Sequence, residues 1–149
     1  MSIGDLRVNK LRAYLMGVIS SLNAQYQQIN VNFLSDDINN YSLDKIPTAS
    51  IIEKWITGNC LCKDVYTFRS RNSYSQDALN NLLNIGFFEK FESIIEQRNK
   101  NGILPDIEGI EAIRCLNCGT MLRAETNTAE FDIQIQIEYK ANKDASVSL

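Results

Sequence analysis

The chain of 149 residues carries 15 basic and 18 acidic side chains, a formal net charge of −3 and no histidine, and 44% of its residues are hydrophobic. This length and composition predict one globular domain. They disfavour a disordered chain, a helical membrane protein and a sequence-independent nucleic-acid binder, which needs a basic surface. The absence of histidine removes the commonest general base and the commonest transition-metal ligand, so we expect no enzyme and no cofactor.

The first segment predicts an amphipathic helix followed by a short strand. Apolar residues recur every three or four positions over residues 3–28, which is the helical period. Ser2 and Asp5 match the capping-box pattern at the start of this helix. Residues 29–33 then alternate apolar side chains with asparagines, which indicates a strand with one solvated face.

A polar segment and a long hairpin follow. Residues 35–48 are rich in aspartate, asparagine and serine and predict a long loop. Residues 49–71 return to a period of two, interrupted at Gly58, and predict a long antiparallel hairpin. The second strand of this hairpin places four residues on one face: Cys60, Cys62, Tyr66 and Phe68.

The middle of the chain predicts a second helix. Apolar side chains recur at helical spacing over residues 78–95, and Ser75 is the expected N-cap with Asp77 in the first turn. Gly86 is expected to kink or divide this helix, because glycine is a poor helix former. Residues 100–102, Lys-Asn-Gly, predict its basic, glycine-ended C terminus.

The last third of the chain predicts three more strands. Two are expected at about 110–117 and 120–126, and residues 129–140 alternate strictly between apolar and polar side chains. Residues 141–149 predict a flexible tail, which leaves residues 1–140 as a single domain. We expect an α+β fold with a single mixed or antiparallel sheet and two main helices packed on one face, in the order α-β-β-β-α-β-β-β.

Four cysteines are candidates for metal or redox chemistry. Cys115 and Cys118 have the spacing of a zinc knuckle, but Cys60 and Cys62 are separated by one residue, which is wrong for a second knuckle. Redox C-x-x-C centres lie at a helix N-terminus, whereas Cys118 leads into a predicted strand. We interpret the four cysteines as small apolar side chains, with a zinc or redox module as the alternative.

Charged and aromatic side chains give the interface candidates. Asp36 and Asp37 lie in the predicted acidic loop, which lacks the ligand spacing of a calcium site. Trp55 is expected in the core, whereas Phe87 and Phe88 are adjacent on a helix and cannot both face the core, so Phe88 is a candidate interface anchor. Four arginines on predicted strands are expected on the open face of the sheet, as solvated positions or as contacts for an acidic partner: Arg69, Arg71, Arg114 and Arg123.

Five segments carry a resemblance to a known family. They are the N-terminal amphipathic helix, residues 30–36 (Asn-Val-Asn-Phe-Leu-Ser-Asp), residues 64–71 (Asp-Val-Tyr-Thr-Phe-Arg-Ser-Arg), the helix after Ser75, and residues 128–139 with their strict alternation. Over residues 3–140, this pattern and order resemble the tail-terminator, or tail-completion, proteins of long-tailed bacteriophages and of phage-tail-like particles.

The resemblance implies a structural role in virus assembly. Proteins of this family form a hexameric ring that caps the head-proximal end of the tail tube, stops its polymerisation and presents a surface to the head-completion ring. It therefore implies contacts with further copies of the chain, with the tube protein and with a head-completion protein or sheath, in a virion assembled in the cytoplasm of a bacterial host. It implies no catalytic residue, and we expect neither a membrane nor a sequence-specific nucleic acid among the partners. Another head–tail connector component is an alternative.

Overall fold

Two helices and seven strands make up the described part of the chain. The computed structural model describes residues 6–22, 29–31, 40–48, 51–73, 78–117, 120–124 and 128–142. In chain order the elements are α1 (Arg7–Ser21), β1 (Ile29–Val31), β2 (Asn40–Ile46), β3 (Ile51–Lys54), β4 (Asn59–Ser73), α2 (Ala78–Lys100), β5 (Ile110–Cys115), β6 (Thr120–Ala124) and β7 (Thr128–Asn142).

The sheet is organised around its two longest strands. β4 and β7, each of 15 residues, pair antiparallel over their whole length. β2 and β3 lie one after the other along the free side of β4, and β5 and β6 do the same along β7. β1 adds to β2 in parallel, so the sheet is mixed. At the end where β4 begins, the strand order across the sheet is therefore β3-β4-β7-β5.

Both helices cover the same face of this sheet. On β7 the residues from Phe131 to Tyr139 alternate as predicted, and the five apolar ones are all buried. α1 contributes Leu11, Leu15, Val18 and Ile19 to the same core, and α2 contributes Phe91 and Ile95. The alternate apolar residues of the strands and the apolar faces of the two helices are thus buried against each other. This burial of apolar surface is the main favourable contribution to folding. The expected α+β fold, with one sheet and two helices on one face, is confirmed.

A stack of three aromatic rings joins the layers. Tyr41 of β2 lies 5.4 Å from Phe68 of β4, and Phe68 lies 5.1 Å from Phe91 of α2, with the rings of each pair nearly parallel. All three side chains are buried. The stack connects α2 directly to β4 and, through Phe68, to β2.

The predicted loop at 35–48 is wrong over its second half, where β2 lies. Tyr41 and Leu43 alternate with Ser42 and Asp44, but the polar side chains give the segment the composition of a loop. Ser42 and Asp44 lie on the sheet face opposite the helices, where the Ser42 hydroxyl donates a hydrogen bond to the Asp44 carboxylate over 2.7 Å. The first part of the predicted loop, residues 35–39, lies outside the described residues.

The helices differ from their predicted limits. α1 covers Arg7–Ser21 rather than residues 3–28, and no side chain caps it at Leu6; Ser2 and Asp5 are not among the described residues. α2 runs through Gly86 without a break, which corrects the expected division. It ends as predicted, because Gly102 has a φ of +73° and the Ile103 N–H donates to the Arg98 carbonyl over 2.8 Å. The proposed cap at Ser75 and Asp77 falls outside the described ranges.

Replacing Gly86 by alanine is expected to stabilise the protein by up to about 1 kcal/mol, because alanine favours the helix interior by roughly that amount. A methyl group built at Gly86 meets no atom within 4 Å. Urea denaturation followed by circular dichroism measures the change. Gly102→Ala is the control: its positive φ makes any side chain there strained, so this variant is expected to lose stability. A loss of stability at Gly86 would contradict the uninterrupted helix.

Candidate functional site

The turn between β3 and β4 carries an exposed apolar arm. We define the apolar arm as residues 51–57, every one of which is exposed. Ile51, Ile52 and Trp55 keep 44%, 45% and 37% of their surface, and Ile56 is fully exposed. Ile51 and Ile52 are neighbours on a strand, where successive side chains point to opposite faces, so the described part of the chain covers neither face. Clusters of exposed apolar residues are typical of interaction surfaces, whereas single exposed apolar residues are ordinary, so the apolar arm is the candidate functional surface.

The arm is held at its base by β4. The Trp55 N–H donates to the Asn59 carbonyl over 2.8 Å, and the Gly58 N–H donates to the Trp55 carbonyl over 3.0 Å. Gly58 has a φ of +88°, a conformation that glycine adopts at little cost. β3 pairs with only the first few residues of β4, opposite Cys60 and Cys62. The predicted turn at Gly58 is confirmed, although the hairpin is shorter on its first strand than the sequence indicates.

An open cleft of about 1070 Å³ lies beside the arm, between Trp55, the start of α1 and the loop before β5. Its lining carries charges of both signs, and Lys10 pairs with Asp106 over 3.3 Å. At the β5 side, Gly109 has a φ of +76° and its carbonyl accepts the Lys140 N–H over 2.8 Å. A Cβ atom at Gly109 would lie 2.3 Å from the Lys140 carbonyl oxygen. Only glycine allows this close approach, which fixes that wall of the cleft to β7.

A buried carboxylate lies close to this cleft. Asp64 of β4 keeps 2% of its side-chain surface, and the Arg7 Nε donates to it over 2.7 Å. The Tyr139 and Tyr66 hydroxyls donate to it over 3.1 and 3.4 Å. The ammonium of Lys45 lies 3.8 Å away. The Arg7 guanidinium also covers the Tyr139 ring at 4.4 Å. These contacts compensate the charge and attach the start of α1 to the sheet.

Asp64 is not among the site residues predicted from the sequence, although the sequence contains a signal for it. Asp64 lies two residues after Cys62 and two before Tyr66, so it shares one face of the predicted strand with Cys60, Cys62 and Tyr66. An acidic side chain on the buried face of a strand needs hydrogen-bonding or positively charged partners that compensate its charge. Its partner Arg7 lies 57 positions away in sequence and comes from a helix, so the pairing itself required the fold.

Burial next to Asp64 predicts an alkaline transition. Loss of contact with water, together with the Asp64 charge, raises the pKa of Tyr139 to about 12 and raises that of Tyr66 as well. Burial alone raises the pKa of Tyr41 to about 12. Above pH 10 the unfolded chain ionises these phenols while the folded chain keeps them protonated. The stability that they contribute is therefore complete below pH 10 and is lost between about pH 10 and 12.

Phenolate absorbance and circular dichroism, recorded together against pH, measure this transition. The buried phenols are expected to ionise together with unfolding. Tyr139→Phe is expected to move the transition to higher pH, because one phenol no longer ionises on unfolding. Ionisation of all six tyrosines near pH 10 with the fold intact would contradict the buried positions.

The open face of the sheet, opposite the helices, carries a charged network rather than a basic stripe. Arg69 lies between two carboxylates, with its Nε 2.6 Å from Asp44 and its Nη1 3.1 Å from Glu130. Cross-strand register places Arg69 opposite Asp132 and Arg71 opposite Glu130. Burial, and then the Glu130 charge, raise the pKa of Asp132. Arg69, Arg71 and Arg114 fall on this face by cross-strand register, as predicted, but acidic side chains lie beside them; the side chain of Arg123 is outside the described residues.

The predicted interface residues have different surroundings. Arg69 is engaged in the network just described, and Arg71 is buried with 9% of its surface accessible. Asp36 and Asp37 lie outside the described residues. Phe88 is buried against Phe131, with ring centroids 5.2 Å apart. It belongs to the interior, whereas Trp55, which was expected in the core, is exposed.

Among the described cysteines, Cys115 lies too far from Cys60 and Cys62 to share a metal ion with them. Cys60 and Cys62 are fully buried on β4, and Cys115 is partly buried on β5. Cys62 lies opposite Tyr139 of β7, and Cys115 lies opposite Ile135. Two strand spacings and four residues along the strand separate the two thiols by roughly 16 Å. Thiolates on one zinc ion each lie about 2.3 Å from it. Cys118 is outside the described ranges, and among the described residues no three potential ligands come together.

Comparison with known proteins adds no family. No protein-family model matches the chain, and no curated protein matches it significantly. Neither α1 nor the described part of α2 has the length and apolarity that a bilayer crossing demands. A function for the chain therefore has to be inferred from its own surfaces.

Proposed function

We propose that this chain is a structural assembly protein, a ring-forming terminator that caps the head-proximal end of a phage tail or phage-like tail. In this role it stops polymerisation of the tail tube and joins the tube to the head-completion ring. Its partners are further copies of itself in a hexamer, the tube protein, and a head-completion protein or sheath. It acts in the virion, after assembly in the cytoplasm of the bacterial host.

The observation that carries the proposal is the apolar arm at the edge of the sheet. Four large apolar side chains within six residues, Ile51 to Ile56, are exposed in the single chain. Assembly proteins expose such surfaces because neighbouring subunits cover them. An exposed strand edge adds main-chain hydrogen-bonding groups that another chain can pair with.

The polar clusters also fit a structural role. Asp64 is surrounded by two hydroxyls and two cations of the same chain, and Arg69 by two carboxylates. Catalytic groups are usually aimed at a site where substrate can bind. These groups instead connect α1 to β4, and β2 to β4 and β7, which stiffens the sheet that would form the body of a ring subunit.

Electron microscopy of tails assembled with and without the protein tests this function. Tube protein polymerised with the chain is expected to give tails of defined length, and tubes made without it are expected to continue growing. Addition of the chain to growing tubes is expected to arrest elongation at one end. Tails of the same defined length in both preparations would contradict the proposal.

A further inference from the structure

We infer that the apolar arm of one copy inserts into the cleft beside the arm of a second copy, and that the second copy does the same in return, about a two-fold axis. The cleft is the open space between Trp55, the start of α1 and the loop before β5. The inference goes beyond the proposed function, because it concerns the chain in solution and holds whether or not the chain caps a tail.

The arm carries apolar side chains on both of its faces. Ile51 and Ile52 are neighbours on a strand, so their side chains point to opposite sides, and they keep 44% and 45% of their surface. Trp55 is partly exposed, and Ile56, in the turn, is fully exposed. A flat partner would cover one face of the arm and leave the other in water, whereas a recess covers both. The arm therefore fits a concave partner better than a flat one.

The cleft of a second copy provides such a recess. Pockets of roughly 300–1,000 Å³ enclose a drug-sized molecule, so a cleft of about 1070 Å³ has room for the side chains of a strand turn. Its apolar lining includes Trp55, Ile107 and Ala141, which are suitable contacts for exposed isoleucines. The wall at Gly109 is fixed, because the Lys140 N–H of β7 donates to the Gly109 carbonyl. The recess therefore exists before a partner binds, which lowers the cost of binding.

The positions of the arm and the cleft favour a reciprocal contact. They lie side by side on one chain, since Trp55 belongs to the arm and also lines the cleft. When the arm of one copy enters the cleft of another, the arm of the second copy is therefore brought next to the cleft of the first. A two-fold axis makes the two contacts identical, as in other interfaces where both subunits use the same patch. The two Trp55 side chains then lie near the axis, and tryptophan is enriched at the centres of interfaces.

The charges of the two surfaces also favour a second copy. The arm carries exposed Glu53 and Lys54, and the lining of the cleft contains Lys10, Asp106 and Glu108. A partner with charges of one sign would meet a like charge on either surface, whereas a second copy offers both signs. Lys10 pairs with Asp106 over 3.3 Å, but Asp106 keeps 97% of its surface, and an exposed pair of this kind is weak enough to exchange partners.

A reciprocal contact has a consequence for assembly. It closes with two copies and adds no third, unlike a head-to-tail contact. The pair covers the apolar arm while the chain is in solution, where a large exposed apolar patch would favour aggregation. In the proposed ring, a neighbouring subunit or the tube protein takes the place of the second copy, so assembly begins with the opening of the pair.

Cross-linking between two full-length variants tests the contact. Ile56→Cys places a thiol on the arm, and Glu108→Cys places one at the cleft; both positions are exposed, so the fold is expected to remain. The two new thiols are on different chains, so a short thiol-to-thiol cross-linker can join them only between copies. Gln97→Cys, at an exposed position of α2, is the matched control for Glu108→Cys. The wild type, with its four cysteines, gives the background.

An equimolar mixture of Ile56→Cys and Glu108→Cys is expected to give a product of twice 16.9 kDa, in which mass spectrometry finds residues 56 and 108 joined. The mixture of Ile56→Cys with Gln97→Cys is expected to give the wild-type background. Equal yields from the two mixtures would overturn the inference. A higher yield from Ile56→Cys alone than from its mixture with Glu108→Cys would overturn it in favour of an arm-to-arm contact.

The mass in solution is a second measurement. Light scattering after gel filtration is expected to give a dimer for the wild type and for Gln97→Lys, and a monomer for Ile52→Lys with Ile56→Lys, which places two charges on the arm. Circular dichroism checks that each variant folds. Wild-type chain that stays monomeric up to about 1 mM, the weak end of specific association, would overturn the inference. A series of species larger than a dimer would also overturn it. Neither measurement involves tail length, so the terminator function is tested separately.

Discussion

Replacing Phe91 by alanine is expected to lower the free energy of unfolding by about 4 kcal/mol, since truncation of a buried phenylalanine typically costs 3–5 kcal/mol. Phe91 is fully buried and stacks on Phe68 at 5.1 Å. Phe68 in turn stacks on Tyr41, so the substitution leaves a cavity where α2, β4 and β2 meet. Urea denaturation followed by circular dichroism measures the loss.

Phe91→Leu is the control for this prediction. Leucine keeps much of the buried volume, and swaps of this kind are expected to cost about 1.5 kcal/mol or less. Equal losses for the two variants would show that the site does not depend on volume. A loss below about 1 kcal/mol for Phe91→Ala would mean that α2 does not pack on the sheet through this stack.

Replacing Arg7 by methionine is expected to lower the free energy of unfolding by about 3 kcal/mol. Removing one partner of a buried ion pair costs roughly 3–5 kcal/mol, and the lower end applies because Arg7 keeps 39% of its surface and is partly screened. Asp64 would then be a buried charge with only Lys45, at 3.8 Å, and two hydroxyls for compensation. Thermal and urea denaturation both report this loss.

Lys10→Met, one turn further along α1, is the matched control. Lys10 pairs with Asp106, which keeps 97% of its surface, and exposed pairs of this kind contribute little. The expected change is within about 0.5 kcal/mol. Adding Asp64→Asn to Arg7→Met removes both charges, so the double variant is expected to lose less than the sum of the two single losses. Strict additivity would show that Arg7 and Asp64 do not interact.

The elements with a clear apolar stripe were predictable from the sequence. α1, α2, β4 and β7 each place apolar residues on one side at the period of their own geometry, so the burial of one face follows from the order of residues. β2 was not predictable in this way, because Ser42 and Asp44 belong to the polar network of the open face and give the strand the composition of a loop.

The arrangement of the strands was not predictable from periodicity. β5 and β6 lie one after the other along β7 instead of pairing with each other, and β2 and β3 share the free side of β4 in the same way. Register is set by contacts between segments far apart in sequence, whereas periodicity reports only the faces of one segment.

The candidate site was predictable only in part. The sequence shows that both faces of residues 51–56 carry apolar side chains, but it does not show whether the same chain covers them. Trp55 was therefore assigned to the core and Phe88 to an interface, whereas Trp55 is exposed and Phe88 is buried in the structure. Arg69, Arg71 and Arg114 were placed on the correct side of the sheet, but their acidic partners come from β2 and β7, which lie far from them in sequence.

The position of the protein in an assembled particle distinguishes a terminator from every other tail component. A gold label attached to the chain, imaged on purified tails by electron microscopy, is predicted to lie at one end only, the end that joins the head. Label distributed along the tube, located at the distal tip or absent from tails would contradict the role of a terminator.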